Sequence, residues 1–213
     1  MTVLLLDARW PTLIPVDALA GLSGPVNYTD EVPVAVRWHL GDLISGELGK
    51  GVLVSTDETD AQVVDRIAAG ERVVEVASRQ DPVARAMAVM SRARTLGEWE
   101  AAHTHRTLLP YLAEESAEFA EAVDKWEQGA GEEQLLRELG DVLLQVLFHA
   151  EIASRRGAFD FGDVAASFVT KMRSRSPYLF DGTTEMMDVE EQHRLWAEGK
   201  ENEKLGRPES TEL

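Results

Sequence analysis

The spacing of hydrophobic residues changes at about residue 80, which divides the chain into two regions of different character. In the first region, short β-branched runs separated by proline and glycine predict strands at residues 3–6, 32–36, 52–55 and 73–76. One helix is predicted over residues 60–69, with Gly70 as its end. These elements indicate a small α/β region over residues 1–80.

From residue 81 onward the apolar residues follow a helical period. Asp81 and Pro82 are typical of a helix start and predict a helix to about residue 96. Further helices are predicted over residues 104–128, 132–156, 161–176 and 188–203. Pro110 favours a later start, near Leu109, for the first of these four. The fold class is therefore mainly α, with a helical domain at residues 81–203 and a polar tail, 204–213, that is predicted to be disordered.

The charge of the chain narrows the classes of partner. The 213 residues carry a formal net charge of −17, which repels nucleic acid, so no nucleic-acid partner is expected. No run of about 18 apolar residues occurs, so no membrane span is expected. An acidic protein still binds a small polyanion when divalent cations bridge the two. The absence of cysteine excludes thiolate chemistry and fits a reducing cytoplasm.

Two carboxylates stand out in the helix predicted over residues 132–156. Apolar residues lie on nearly every side of this helix, which predicts that it is buried. Glu138 and Asp141 are three residues apart and share one face, which Gln145 extends. An unpaired buried carboxylate costs several kcal/mol or becomes protonated. We therefore expect a cation to face these two residues.

The preceding helix supplies further acids rather than bases. Glu115 and Glu118 lie three residues apart beside an apolar stripe, and a short glycine-containing connection predicts that the two helices pack antiparallel. Four carboxylates would then converge in an oxygen-rich site suited to Mg²⁺, or to Mn²⁺ as a substitute. For Glu114 and Glu121, an ordinary surface position is the favoured interpretation.

A di-iron bundle is the competing metal hypothesis. It requires Glu-x-x-His pairs, and two pairs have that spacing, Glu100 with His103 and Glu190 with His193. Neither pair lies in the centre of an apolar helix, so this hypothesis is disfavoured. His149, one turn beyond Gln145, is interpreted as a core or edge histidine.

The order of several motifs resembles that of the MazG-type nucleoside triphosphate pyrophosphohydrolases. EExxE at residues 114–118 is followed by ExxD at residues 138–141, within the segment ELGDVLLQVLFHA at 138–150. Trp99 and residues 104–108 precede this pair, and FDF at 159–161, a basic segment at 171–175 and WxxxK at 196–200 follow it. Glu98 and His103 stand where the family often has proline and glutamine. The resemblance covers residues 97–203, and residues 1–80 look like the α/β extension of some single-domain members.

The resemblance implies an all-α MazG-like bundle that hydrolyses nucleoside triphosphates to monophosphate and pyrophosphate. It implies Glu115, Glu118, Glu138 and Asp141 as ligands of Mg²⁺, with Glu114 as a candidate proton acceptor. It also implies that nucleotide contacts come from the set Lys171, Arg175, Trp196 and Lys200. A homodimer is expected, and a tetramer is the other possibility, because the family builds its bundle from more than one chain.

Two other classes of function remain open at this point. The first is a regulatory helical module that binds nucleotide without turnover, against which the intact acids at all four ligand positions argue. The second is an interaction scaffold that uses the helices as a coiled coil. Carboxylates within an apolar helix argue against a scaffold, which gains nothing from them.

Overall fold

The computed structural model describes residues 2–44 and 51–205, in two compact units, Met1–Ala88 and Val89–Leu213. The first unit is α/β and the second is helical, as the change of periodicity predicts. The boundary predicted at residue 80 remains a prediction, and most of the tail predicted at residues 204–213 lies outside the described residues.

The first unit is built on a four-stranded parallel sheet. Its strands are β1 (Thr2–Leu5), β2 (Val26–Tyr28), β3 (Val52–Ser55) and β4 (Arg72–Glu75), in the order β2-β3-β1-β4. Side chains alternate between the two faces of a strand. Leu4 and Val54 accordingly lie in a core with Leu40 of helix α1 (Val34–Leu43), while Val3 lies in a second core with Val63 of helix α2 (Ala61–Ala68).

The structure confirms three of the predicted strands and corrects the fourth. Residues 32–36 were predicted to form a strand, but helix α1 begins at Val34, directly after Pro33. Proline is favoured just before or at the start of a helix, because it has no N–H group to satisfy there. The local pattern gave no sign of β2, which pairs with β3 and is only three residues long.

The predicted helices from residue 82 onward, the first of which begins in the first unit, follow their predicted bounds closely. They are α3 (Pro82–Leu96), α5 (His105–Glu127), α6 (Glu132–Ser154), α7 (Phe161–Arg175) and α8 (Val189–Lys204). A short helix that was not predicted, α4 (Glu98–Ala102), joins α3 to α5. Arg94 of α3 donates to the carbonyls of Glu100, Ala101 and His103 and so satisfies the end of α4.

Side-chain caps determine where these helices begin. Asp160 and Asp163 form a capping box at α7, and Thr104 and Thr107 form one at α5. The start of α5 expected near Leu109 is therefore wrong, because the box begins the helix at His105 and the helix continues through Pro110. Pro110 is the sixth residue of the helix, so the hydrogen bond to the carbonyl of Arg106 is missing at that point while the helix continues on both sides.

Helices α5 and α6 pack antiparallel, so that His105 at one end of α5 contacts His149 near the end of α6. The expectation that α6 is buried on every side is wrong for the single chain. Gln145 and Phe148 are buried, but Leu136, Leu139, Leu143 and Leu144 are 41–71% exposed. The apolar surface of α6 is thus wider than the covering that one chain provides. None of the helices within residues 2–44 and 51–205 is long and apolar enough to cross a bilayer.

Candidate metal centre

Three of the predicted acids meet between α5 and α6. One carboxylate oxygen each from Glu115, Glu138 and Asp141 lies within 4.8 Å of the other two. All three side chains are half-buried. The antiparallel packing of two helices with acids at matching heights produces this cluster, as the spacing predicts. Because carboxylate oxygens are the ligands that hard divalent cations prefer, the residues present fit such an ion.

The electrostatics of the cluster are those of an uncompensated acidic group. Burial raises the pKa of Glu115, and the charges of Asp141, Glu118, Glu114 and Glu138 raise it further. Within the described part of the chain, no lysine or arginine forms an ion pair with any of the three clustered carboxylates. A cation bound among them would remove this repulsion.

The other two predicted acids lie at the margin of the cluster. Glu118 and Glu114 are exposed, and neither belongs to the group of oxygens that converge. Three residues correspond to about 300° around a helix, so Glu118 is turned by about 60° from Glu115. Both charges nevertheless act on Glu115. The assignments of Glu118 as a ligand and of Glu114 as a proton acceptor remain predictions.

The basic residues of α7 lie beside α8. The Arg175 guanidinium donates from Nε to Oε1 of Glu203 at 2.9 Å and from Nη2 to Oε2 at 2.6 Å. Its centre lies 5.0 Å above the ring of Trp196. Lys171 also acts on Glu203, since its charge helps to lower the pKa of that carboxyl after the hydrogen bond from Arg175. Lys171, Arg175 and Trp196 therefore lie in one neighbourhood, while Lys200 is exposed on α8. Their contact with nucleotide remains a prediction.

Sequence reasoning missed Glu203, the partner of Arg175. The signal that identifies it is helical spacing, because Glu203 lies seven residues, or about two turns, after Trp196. A second missed residue is Gly199, where an added Cβ would lie 2.5 Å from the carbonyl oxygen of Ser174. Only glycine allows α8 to approach α7 so closely at this point.

The two histidines at the far end of α5 and α6 form a stacked pair. The rings of His105 and His149 are 5.1 Å apart and nearly parallel, with 2.8 Å between their Nδ1 atoms. Burial lowers the pKa of His149, and the charge of His105 lowers it further. His149 is half-buried between the helices, in keeping with its interpretation as a core or edge histidine.

The residues with di-iron spacing do not assemble into a site. In the described ranges, Glu115, Glu138 and Asp141 form the group of potential metal ligands that converges, and this group contains no histidine. His103 instead packs against the rings of Trp99, Tyr111 and Phe148. Its environment is that of an aromatic cluster rather than of a metal ligand.

Comparison with known proteins places this geometry in a family. The family model of the MazG N-terminal domain matches residues 1–74, and that of the MazG nucleotide pyrophosphohydrolase domain matches residues 103–180. The second match contains the acidic cluster and Arg175, and the first contains most of the parallel sheet.

The relatives match along nearly the whole chain. Proteins named nucleoside triphosphate pyrophosphohydrolase from Mycobacterium tuberculosis and Mycolicibacterium smegmatis are each 40% identical over 210 residues, which is 96% of this chain. The chain spans 63% of the length of each of these curated relatives. A solved mazG-related protein from Thermotoga maritima is 31% identical, with 55% of this chain and 97% of that chain covered and a TM-score of 0.47. The two domain matches and the long alignments show that the chain belongs to the MazG family.

Proposed function

We propose that this protein hydrolyses nucleoside triphosphates to nucleoside monophosphate and pyrophosphate, with Mg²⁺ as its cofactor. The observation that carries the proposal is the convergence of Glu115, Glu138 and Asp141 in a domain of this family. The names of the mycobacterial relatives support the same reaction. A cofactor-free role for three half-buried carboxylates is unfavourable, because their mutual repulsion destabilises the fold.

The proposed ligand set is Glu115, Glu118, Glu138 and Asp141. The first, third and fourth of these already converge, and Glu118 lies one turn from Glu115 on the same helix. The charge of Glu118 acts on the Glu115 carboxyl, which supports its inclusion in the set. When bound, a divalent cation neutralises the carboxylates and the triphosphate and makes the reacting phosphorus more electrophilic.

The remaining residues bind the triphosphate and accept the proton of the attacking water. Lys171, Arg175 and Lys200 neutralise the phosphate oxygens, on which charge grows as the bond between the α and β phosphates breaks. The Trp196 ring, 41% exposed, provides an apolar face for the nucleoside. Glu114, beside Glu115 and open to solvent, accepts the proton of the attacking water.

The proposal includes a homodimer. Leucines of α6 are exposed in the single chain, and Phe168 and Val169 of α7 are 59% and 44% exposed. Apolar surface of this extent on adjacent helices is typical of an interface between subunits. A second copy packed against α6 and α7 would complete the bundle that one chain leaves open.

The experiment that tests the proposal is a turnover assay with a panel of nucleoside and deoxynucleoside triphosphates. Purified protein is incubated with Mg²⁺ or Mn²⁺, and chromatography resolves monophosphate from diphosphate. We expect monophosphate and pyrophosphate in equal amounts. Diphosphate with inorganic phosphate as products would refute the proposed bond cleavage, and nucleotide binding without products would favour a regulatory module.

A matched pair of variants on α6 tests whether the cluster is the site of the reaction. Glu138→Gln removes one clustered charge, whereas Glu133→Gln removes an exposed charge from the first turn of the same helix. We expect loss of turnover in the first variant and activity equal to the parent in the second. Equal activity in both variants would place the reaction elsewhere.

A further inference from the structure

The contact between Glu203 and Arg175 has the geometry of a bound oxyanion. Two nitrogens of one guanidinium donate to the two oxygens of one carboxylate, at 2.9 and 2.6 Å. Arginine binds carboxylates and phosphates through the same planar pair of N–H donors. The carboxylate of Glu203 therefore uses the donors that a phosphate group would need.

The packing of α8 on α7 positions this carboxylate. Gly199 is buried, and an added Cβ would lie 2.5 Å from the Ser174 oxygen and 2.9 Å from the Cα of Arg175. Backbone therefore lies against backbone at this point. Glu203 follows one turn later, on the same face of α8. The glycine thus brings an acid from α8 to the arginine of α7.

The surroundings of Glu203 favour an anion. Arg175 lies above the Trp196 ring at 5.0 Å, which limits the directions that its guanidinium can take. Arg175, through its hydrogen bonds, and then Lys171, through its charge, lower the pKa of Glu203. Two cations of a chain with a net charge of −17 thus act on a single carboxylate.

We infer that Glu203 occupies the phosphate-binding position of Arg175 and competes for it with the polyphosphate of the substrate. This inference rests on the proposed function, in which Lys171 and Arg175 bind the triphosphate. One guanidinium edge cannot donate to both anions at once, so the phosphate must displace the carboxylate. The wild-type protein then binds polyphosphate more weakly than Arg175 alone would allow.

The test is the substitution Glu203→Gln in the full chain, which keeps the shape of the side chain and removes its charge. The KM for a nucleoside triphosphate comes from steady-state kinetics, and the Kd for inorganic pyrophosphate comes from titration calorimetry. Both should fall by about two- to fivefold, the range expected for loss of a partly exposed ion pair. The matched control is Glu201→Gln, which removes an equal charge from α8 and whose ion-pair partner is Lys204.

A second pair of variants separates competition from a general effect of charge. With Arg175→Gln already present, Glu203→Gln should give no further gain in pyrophosphate affinity. A gain that persists there, or an equal gain in Glu201→Gln, would overturn the inference. An unchanged or weaker affinity in Glu203→Gln would show that Glu203 only ties α8 to α7.

Failure of the inference and failure of the proposed function give different results. Calorimetry with pyrophosphate requires no turnover, so it measures the competition at Arg175 even in a protein that cleaves no triphosphate. Absence of products from every triphosphate would reject the proposed function only. Normal turnover with identical pyrophosphate affinities in wild type and Glu203→Gln would reject the competition only.

Discussion

Removing one charge from the acidic cluster should stabilise the metal-free protein. In Glu138→Gln, the repulsion of Glu138 by Glu115 and by Asp141 is lost while the size of the side chain is kept. The same substitution should weaken the response to Mg²⁺, because it removes a proposed ligand. The two effects have opposite signs and share one cause, so together they test the cluster as a cation site.

The magnitude follows from the spacing of the carboxylates. Two unit charges 4.8 Å apart repel by about 0.9 kcal/mol in water and by about 3.5 kcal/mol at an effective dielectric constant of about 20. Glu138 takes part in two such pairs, so the limits are about 2 and about 7 kcal/mol. Because the side chains are half-buried and counter-ions screen them, we expect a gain of about 1–2 kcal/mol. This corresponds to a rise in Tm of roughly 2–8 °C for a chain of this length.

The dependence on pH adds a second signature. The pKa of Glu115 in the folded protein is raised above its ordinary value of 4.5, by burial first and then by the neighbouring acids. Its carboxyl therefore favours folding below pH 4.5, and this contribution is lost as the pH rises through the raised pKa. The advantage of Glu138→Gln over wild type should accordingly be larger at pH 7 than at pH 4.

The assay is thermal unfolding with chelator and with millimolar Mg²⁺. Wild type at a hundredfold excess over Kd should gain about 2.7 kcal/mol, and Glu138→Gln distinctly less. Glu133→Gln, with the same change of charge on the exposed start of α6, should respond as wild type does. Equal Mg²⁺ shifts in wild type and Glu138→Gln would refute the reasoning, because the ion would then only screen the surface charge.

Four further predictions concern other parts of the chain. Lys171→Ala and Arg175→Ala should each raise KM and lower kcat, so that steady-state kinetics show a kcat/KM about tenfold below wild type. Wild-type kinetics in these variants would show that the two residues are only solvated surface charges. Glu31→Gln should lower the free energy of unfolding of the first unit by about 1 kcal/mol above pH 4.5, and urea titrations should show this difference vanishing as the pH falls toward about 2. Deleting residues 1–80 should leave the product pattern unchanged, and an inactive but folded and dimeric fragment would contradict the domain assignment. Leu143→Glu should halve the mass measured by light scattering, whereas an unchanged mass would place the interface elsewhere.

The reason for the Glu31 prediction lies in its hydrogen bonds. Burial alone would raise the pKa of this carboxyl, but donors from Thr29, Ser55 and Thr56 outweigh burial and lower the pKa to about 2. A depressed pKa stabilises the folded state above the ordinary value of 4.5 and loses this effect as the pH falls through the folded value. The expected loss of free energy in Glu31→Gln is small because solvent screens the exposed Glu31 side chain.

The sequence by itself determined where four of the helices begin. The cap residues Asp60, Asp81, Asp160 and Asp188 mark starts that the structure reproduces within one residue. These signals are local, since each cap satisfies N–H groups two or three residues away. The spacing of Glu138 and Asp141 on α6, and of Glu115 on α5, is local in the same sense. An antiparallel hairpin was then enough to predict that they converge.

Properties that depend on which surfaces meet were decided by the tertiary structure alone. Residues 32–36 have the composition of a strand, yet α1 begins there, because its Val36 and Leu40 cover one face of the sheet. The leucines on several sides of α6 indicated burial, but α5 covers only part of that helix in one chain. A hydrophobic pattern indicates that a surface is removed from water, but it does not indicate which surface covers it.

The same limit applies within the candidate site. The resemblance implied that Lys171 and Arg175 contact nucleotide, and no local pattern pointed to another partner for either residue. The packing at Gly199 brings α8 against α7, and Glu203, 28 residues after Arg175, accepts hydrogen bonds from the Arg175 guanidinium. A contact between two helices depends on their separation and rotation, which no local pattern of residues records.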